Sequence, residues 1–204
     1  PVVTVGHFLP APGASTAGLA CAQVPTVLVV GSSSAINAHG VKWLIDAVWP
    51  ELLKVNATAK LRVVGNVAKI VRDELGERPG VEYVGPVDDL AVEYDKAHVV
   101  VNPVQFGTGL AIKSIEALNF GKALVCTTVG ARGIATGDQA RVPLVADNPV
   151  RFAEVVAGLL GDDALRETQE HLALEFVASW NRRQLENLKR AISPASPDLQ
   201  PSPA

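Results

Sequence analysis

Six short apolar runs rich in β-branched residues punctuate the chain at residues 26–30, 61–64, 81–84, 98–101, 123–126 and 142–145. Hydrophobicity within them is continuous and does not alternate. A strand with one face in water alternates apolar and polar residues; a run without polar positions suits a strand covered on both faces, as in a parallel sheet. Parallel neighbours need crossover connections, and helical patterns occupy most of the intervals. Val41, Leu44, Ile45, Val48 and Leu52 fall at helical spacing, with Pro50 expected to kink or split that helix. Asp88 or Asp89 is placed to cap a helix carrying Leu90, Tyr94 and Ala97. Leu110, Ala111, Ile115 and Leu118 form a third stripe.

The last third reads as helices. Asn148 suits an N-cap, Pro149 the first helical position, and Gly161 the stop after Phe152, Val155, Val156 and Leu159. Asp162 or Asp163 then opens a helix through Leu165, Leu172 and Phe176, expected to bend near Trp180 before Leu185 and Leu188. Strand–helix alternation closed by a helix pair predicts an α/β fold, a doubly wound Rossmann-like parallel sheet of about six strands with right-handed crossovers. Three regions follow. Residues 1–25 read as a strand at 2–9 and a small-residue linker, 26–192 as the Rossmann-like domain, and 193–204 as a disordered Pro/Ser tail.

At 204 residues the chain can bury an ordinary core without staples. A formal charge of −3 with scattered Lys and Arg excludes the basic face of a nucleic-acid protein. No apolar run approaches the roughly 18–20 residues of a membrane span. Cys21 and Cys126 have neither metal-ligand spacing nor the density of a disulfide scaffold, which points to a reducing, cytoplasmic setting. The chain opens at Pro1 and contains no methionine, so it is expected to be a piece of a longer protein. That longer protein could lie peripheral to a membrane, a point on which these residues are silent.

Ligands of open α/β sheets bind beyond the carboxyl ends of the strands, where helix N-termini present free N–H groups. Two turns have suitable content. In Gly31-Ser32-Ser33-Ser34, a glycine admits close backbone approach and hydroxyls can donate to phosphate or sugar oxygens; equally, Ser33 or Ser34 could simply turn the chain. In Gly107-Thr108-Gly109-Leu110, two glycines bracket a threonine just before a helix, which suits a diphosphate. A dinucleotide fingerprint would follow the first strand, and this turn follows a late one, which counts against NAD.

Lys113 and Glu116 lie three apart and share a helix face with Thr108 and Gly109 about a turn earlier. They form either an exposed ion pair or a working pair, with Lys113 neutralising phosphate and Glu116 accepting hydrogen bonds from a ribose diol. Entry of this helix at the carboxyl edge favours the second. His39, near the first helix start, could face the same cleft. His98 reads as a core or edge histidine, His171 as a residue of a polar helix face, and His7 falls in the first expected strand. No Ser/His/Asp set, zinc spacing or P-loop assembles from these residues.

The stretches Val27-Leu-Val-Val-Gly-Ser32, Gly40-Val-Lys-Trp-Leu-Ile-Asp-Ala-Val-Trp-Pro50, Leu61-Arg-Val-Val-Gly65 and Val81-Glu-Tyr-Val-Gly-Pro-Val87 resemble the C-terminal half of GT-B glycosyltransferases of the family-4, or group 1, type. So does the segment from Asn102 to Gly133, whose run from Phe106 to Cys126 is similar to the family's sugar-nucleotide signature. The likeness spans about residues 26–190. It implies a donor-binding domain that holds a UDP- or GDP-sugar, while an N-terminal domain absent from this chain takes an acceptor glycan, lipid or small molecule. It further implies transfer with retention of configuration and no cofactor or metal. The second glutamate of the family's Glu-x7-Glu pattern matches Glu116, implying ribose binding, and the first matches Thr108, a departure. Lys113 matches a basic residue found downstream in such members. Where the family places an Arg and a Lys on the diphosphate, this chain has Ser32 and His39. Val84-Gly85-Pro86 would present backbone to the base and Gly65-Asn66 would border the nucleotide. Gly31, Ser32, His39, Gly107, Thr108, Gly109, Leu110, Lys113 and Glu116 are therefore the candidate donor-binding residues. Two alternatives stand beside this reading. One is a non-catalytic glycosyltransferase-like module that has lost donor binding, and the other is a different Rossmann-like enzyme such as a sugar-nucleotide epimerase.

Overall fold

The computed structural model describes residues 23–134 and 141–192. Six parallel strands form one sheet: β1 (Thr26–Val30), β2 (Lys60–Val64), β3 (Val81–Gly85), β4 (Val99–Asn102), β5 (Ala123–Cys126) and β6 (Leu144–Val145). Their spatial order is β3-β2-β1-β4-β5-β6, with the reversal of direction between β1 and β4. Val27 stands opposite both Leu61 of β2 and Val99 of β4, so the two halves meet in register. The strands lie where the apolar runs predict, to within two residues at either end. β4 starts one residue later than expected, because the His98 ring turns back to β1 and accepts the Thr26 N–H through Nδ1 at 3.1 Å. β6 begins only after Pro143, which has no N–H to add to the ladder.

The helices are α1 (Ala35–Trp43), α2 (Trp49–Val55), α3 (Val67–Leu75), α4 (Leu90–Lys96), α5 (Ile112–Asn119), α6 (Pro149–Gly161) and α7 (Asp163–Ile192). The sheet separates two apolar layers. On one face Val27, Val29, Leu61, Val63, Val99 and Val101 pack against Val41 and Leu44, Val67 of α3, and Phe152 and Leu159 of α6. On the other, Leu28, Val64, Val100 and Leu124 meet Tyr94 of α4, Ile115 and Leu118 of α5, and Ala173 and Val177 of α7. Phe152 and Leu118 are fully buried. Each such side chain contributes about 1.5–3 kcal/mol of burial free energy.

Local chemistry sets most helix ends. Asn148 Oδ1 accepts the N–H groups of Val150 and Arg151 at 3.0 and 3.1 Å, and Pro149 follows it in the first turn. Gly161 is the last residue of α6, with Asp162 at the cap. Asp89, rather than Asp88, caps α4 by accepting the Ala91 N–H at 2.8 Å.

Pro50 divides its helical run, as expected, into α1, a π-helical turn and α2. It sits in the first turn of α2, where a missing N–H is harmless, and a π-helical turn over Leu44–Val48 precedes it. Trp49 donates to the carbonyl of Leu44, five residues back, so the path continues by widening one turn. Two expectations fail. Leu110 and Ala111 lie outside α5. Gly109 has φ +84°, a left-handed conformation that no helix accepts, and the Ala111 N–H goes to the Arg132 carbonyl. Helix α7 runs unbroken through Trp180. The strand expected at 2–9, linker residues 10–22, the tail 193–204, His7 and Cys21 lie outside the described residues.

Candidate functional site

The carboxyl ends of β1, β2, β4 and β5 open onto one cleft at the point where strand order reverses, the place where open α/β sheets hold ligands. Two cavities share it. One, about 460 Å³, is lined by Gly31 and Ser32 after β1, Gly65 and Asn66 after β2, Pro86 and Val87 after β3, and Ile112, Lys113 and Glu116 of α5. The other, about 250 Å³, lies toward β5. Its lining includes Asn37 of α1, Asn102, the turn from Gly107 to Ala111, Gly130 and Arg132. Ile112 and Lys113 line both, so the first turn of α5 is the wall between them.

Each wall is held by hydrogen bonds. Ser34 caps α1 by accepting the Asn37 N–H at 3.2 Å, which settles its role as a turn residue. The Asn37 side-chain amide donates to the Ser32 carbonyl at 3.2 Å and to Ser32 Oγ at 2.9 Å. Ser32 thus serves as an acceptor within the protein through both its carbonyl and its hydroxyl oxygen. Across the cleft, Asn102 Nδ2 donates to Ser114 Oγ at 2.8 Å, and that hydroxyl donates to the Gly130 carbonyl at 2.6 Å. This buried chain ties the end of β4 to α5 and to the turn after β5. Gly40 lets α1 lie directly on the segment after β4, since a Cβ there would stand 2.8 Å from the Pro103 carbonyl oxygen.

The turn from Gly107 to Gly109 is pinned from the far side by the Arg132 guanidinium, which donates to the Gly107 carbonyl. Helix α5 begins after Ala111, which has no side chain able to cap it; backbone carbonyls close its start, the Ile112 N–H donating to Leu110 at 2.9 Å and the Ser114 N–H to Ala111 at 3.0 Å. Tyr94, 1% exposed, lies buried in the layer beneath α5. Burial first, and then the Glu116 charge and hydrogen bond, push the phenol well above its ordinary value.

Of the candidates, Gly31, Ser32, Lys113 and Glu116 share the larger cavity, and Gly107, Thr108, Gly109, Leu110 and Lys113 the smaller. His39 is absent from both linings. Its Nε2 lies 2.9 Å from Gln105 Oε1, and its ring stands edge-on at 4.9 Å to Phe106, which lines the smaller cavity. Asn37, Asn102 and Arg132 line the smaller cavity although the local sequence pattern does not single them out. Arg132 was findable, as a basic residue between Gly130 and Gly133 in the turn that follows a central strand.

A parallel sheet of this order with its cleft at the reversal is a Rossmann-like unit, the building block of GT-B enzymes. Residues 24–162 match the family model of the group 1 glycosyl transferases, and the chain belongs to that family. An uncharacterized 44.6 kDa protein in the cps region of Klebsiella pneumoniae is 28% identical over 127 residues, which cover 58% of this chain and 32% of that protein. Among solved structures, TarM of S. aureus, in complex with fondaparinux, alpha-GlcNAc-glycerol and UDP, superposes with a TM-score of 0.67 at 18% identity. That match covers 90% of this chain and 38% of TarM. The C-terminal domain of the group 1 glycosyl transferase LpcC from Francisella tularensis superposes with a TM-score of 0.58 at 15% identity, covering 78% of this chain and 86% of that domain. The chain thus spans about a third of the length of the K. pneumoniae protein and of TarM, and most of the LpcC domain. Among the described residues no helix is long and apolar enough to cross a membrane.

Proposed function

We propose that this chain is the donor-binding half of a glycosyltransferase. The observation that carries this reading is the meeting of Lys113 and Glu116 with Gly31 and Ser32 in one cavity at the reversal of the sheet. A UDP- or GDP-sugar fits its chemistry. Glu116 accepts the ribose diol, and Gly65, Asn66 and Pro86 border the base. Lys113 and the Ser32 hydroxyl take the diphosphate. The donor sugar extends past Gly109 into the smaller cavity. Transfer proceeds with retention, to an acceptor glycan, lipid or small molecule presented by a second Rossmann-like unit. Charge that develops on the departing diphosphate is stabilised by Lys113, held on α5 at the wall of the cavity. No residue of this chain is assigned as a nucleophile, and no cofactor is required.

Ser32, His39 and Thr108 stand where the family pattern has Arg, Lys and Glu, and they favour a second reading, a glycosyltransferase-like module without donor binding. Calorimetric titration with UDP, GDP, ADP and NAD separates the two. One nucleoside diphosphate should bind saturably. Glu116→Ala should weaken it about 10- to 100-fold, the worth of hydrogen bonds to a charged acceptor, while circular dichroism stays unchanged. Unaltered affinity in that variant removes the ribose role; no binding of any of the four ligands leaves the second reading and a donor site that needs its partner domain, which the same titration of the longer protein separates.

A further inference from the structure

The two cavities of the cleft differ in charge. The larger is bordered by Glu116 as well as Lys113. Among the described residues that line the smaller, two are cations, Lys113 and Arg132, and none is a carboxylate. Close backbone approach is what brings Arg132 there. A Cβ at Gly130 would stand 2.6 Å from the Asn102 carbonyl oxygen, and one at Gly133, where φ is +77°, 2.7 Å from Leu110 Cδ1. Arg132, between these glycines, is held to the facing turn at two points. Its carbonyl accepts the Ala111 N–H at 3.1 Å, and its guanidinium donates to the Gly107 carbonyl. A guanidinium has five N–H groups, and that bond uses one of them. Among the described residues no carboxylate pairs with the rest.

We propose that the smaller cavity takes a sugar bearing a carboxylate, a hexuronate, and that Arg132 selects it. This rests on the donor-site reading, in which Lys113 serves the diphosphate at the boundary of the two cavities. A neutral hexose brings no charge to answer the second cation. A hexuronate carries one negative charge at neutral pH, on a planar group whose two oxygens match the parallel N–H bonds of a guanidinium. Thr108, in the middle of the turn, is neutral, so that wall does not repel the ligand. The bond to Gly107 holds the guanidinium before the ligand arrives, which lowers the cost of ordering it on binding. At about 250 Å³ the cavity is smaller than the roughly 300–1,000 Å³ of pockets for drug-sized ligands, which suits a single sugar ring.

Calorimetric titration with paired donors tests it: UDP-glucuronate against UDP-glucose, UDP-galacturonate against UDP-galactose, and GDP-mannuronate against GDP-mannose, with UDP and GDP alone as references. The titrations use this chain or, where the chain alone binds neither reference, the longer protein. One acid donor should bind about tenfold or more tightly than its neutral partner, the worth of a hydrogen bond between charged groups. Arg132→Gln keeps an N–H for the Gly107 carbonyl and removes the charge. It should abolish that preference and leave the binding of UDP or GDP in place. Arg132→Lys, which has the charge without the fork, should reduce the preference without abolishing it. Equal binding of acid and neutral donors overturns the proposal and leaves the donor reading standing. A preference that survives Arg132→Gln does the same. So does an equal loss of the acid donor and the plain nucleoside diphosphate in that variant, which makes the guanidinium a diphosphate ligand. If circular dichroism shows Arg132→Gln unfolded, Arg132→Lys decides, and an undiminished preference there overturns the proposal. Should neither UDP nor GDP bind the chain or the longer protein, the donor reading falls and this proposal falls with it.

Discussion

Arg62→Ala probes the charged cluster on the α4 side of β2. Arg62 Nε and Nη2 reach one carboxylate oxygen of Glu93 at 2.8 and 2.7 Å, and Lys96 Nζ holds the other at 2.7 Å. Glu93 is only 4% exposed. Arg62 also pairs with Glu82 across the β2–β3 register, but Glu82 is nearly half exposed and that contact contributes little. Loss of one partner from a buried ion pair costs about 3–5 kcal/mol, because the remaining charge stays desolvated. Lys96 survives in the variant, which places the expected loss near the lower bound, about 3 kcal/mol. For a domain of this size each kcal/mol moves Tm by about 2–4 °C, so Tm should fall by roughly 6–12 °C. Urea unfolding followed by tryptophan fluorescence at pH 7 reads the same loss as a lower midpoint. A pH series supplies the sign. Burial alone would raise the Glu93 carboxyl, but hydrogen bonds from Lys96 and Arg62, with their charges, outweigh it and hold the group below its ordinary 4.5. A depressed carboxyl contributes stability that is complete above the unfolded value and lost as pH falls through the folded one. The gap between wild type and variant should therefore narrow below pH 4.5. A loss under about 1 kcal/mol at pH 7, or a gap indifferent to acid, would refute the assignment of this cluster as a stabilising one.

Other consequences are simpler to check. Cys126 is fully buried in β5, and burial, followed by the Asp147 charge, pushes its thiol far up. In a Cys21→Ser background it should resist a thiol reagent at pH 8 and react fully in denaturant; rapid native labelling would contradict its burial. Asn148→Ala removes the acceptor for two backbone N–H groups and should cost about 1 kcal/mol in urea unfolding, whereas Asn148→Asp should retain most of that stability.

Much of the sheet was legible because continuous apolar runs need no tertiary information to be recognised, and the caps at Asp89 and Asn148 are equally local. The start of α5 was not. Its delay comes from the left-handed Gly109 and from the Ala111 N–H pairing with Arg132, a residue 21 positions onward. The cleft shows the same division. Ser32, Lys113 and Glu116 are visible from their turns and helix face. Arg132 becomes a neighbour of Gly107 only when separate crossovers bring the two together.

The partition of the core by the sheet carries a consequence for how the chain finds its alignment. In a half-exposed strand, a slip of one residue turns oily groups into water and is rejected at once. Here Val99 and Val101 face one layer and Val100 the other, so a slip of β4 exchanges valine for valine. Greasiness is blind to that error, and so is volume. What detects it is the polar end of the strand: shifted by one place, Asn102 loses Ser114, and the serine loses its link between α5 and the Gly130 turn. The residues that shape the cleft are therefore also the ruler against which the central strand is measured.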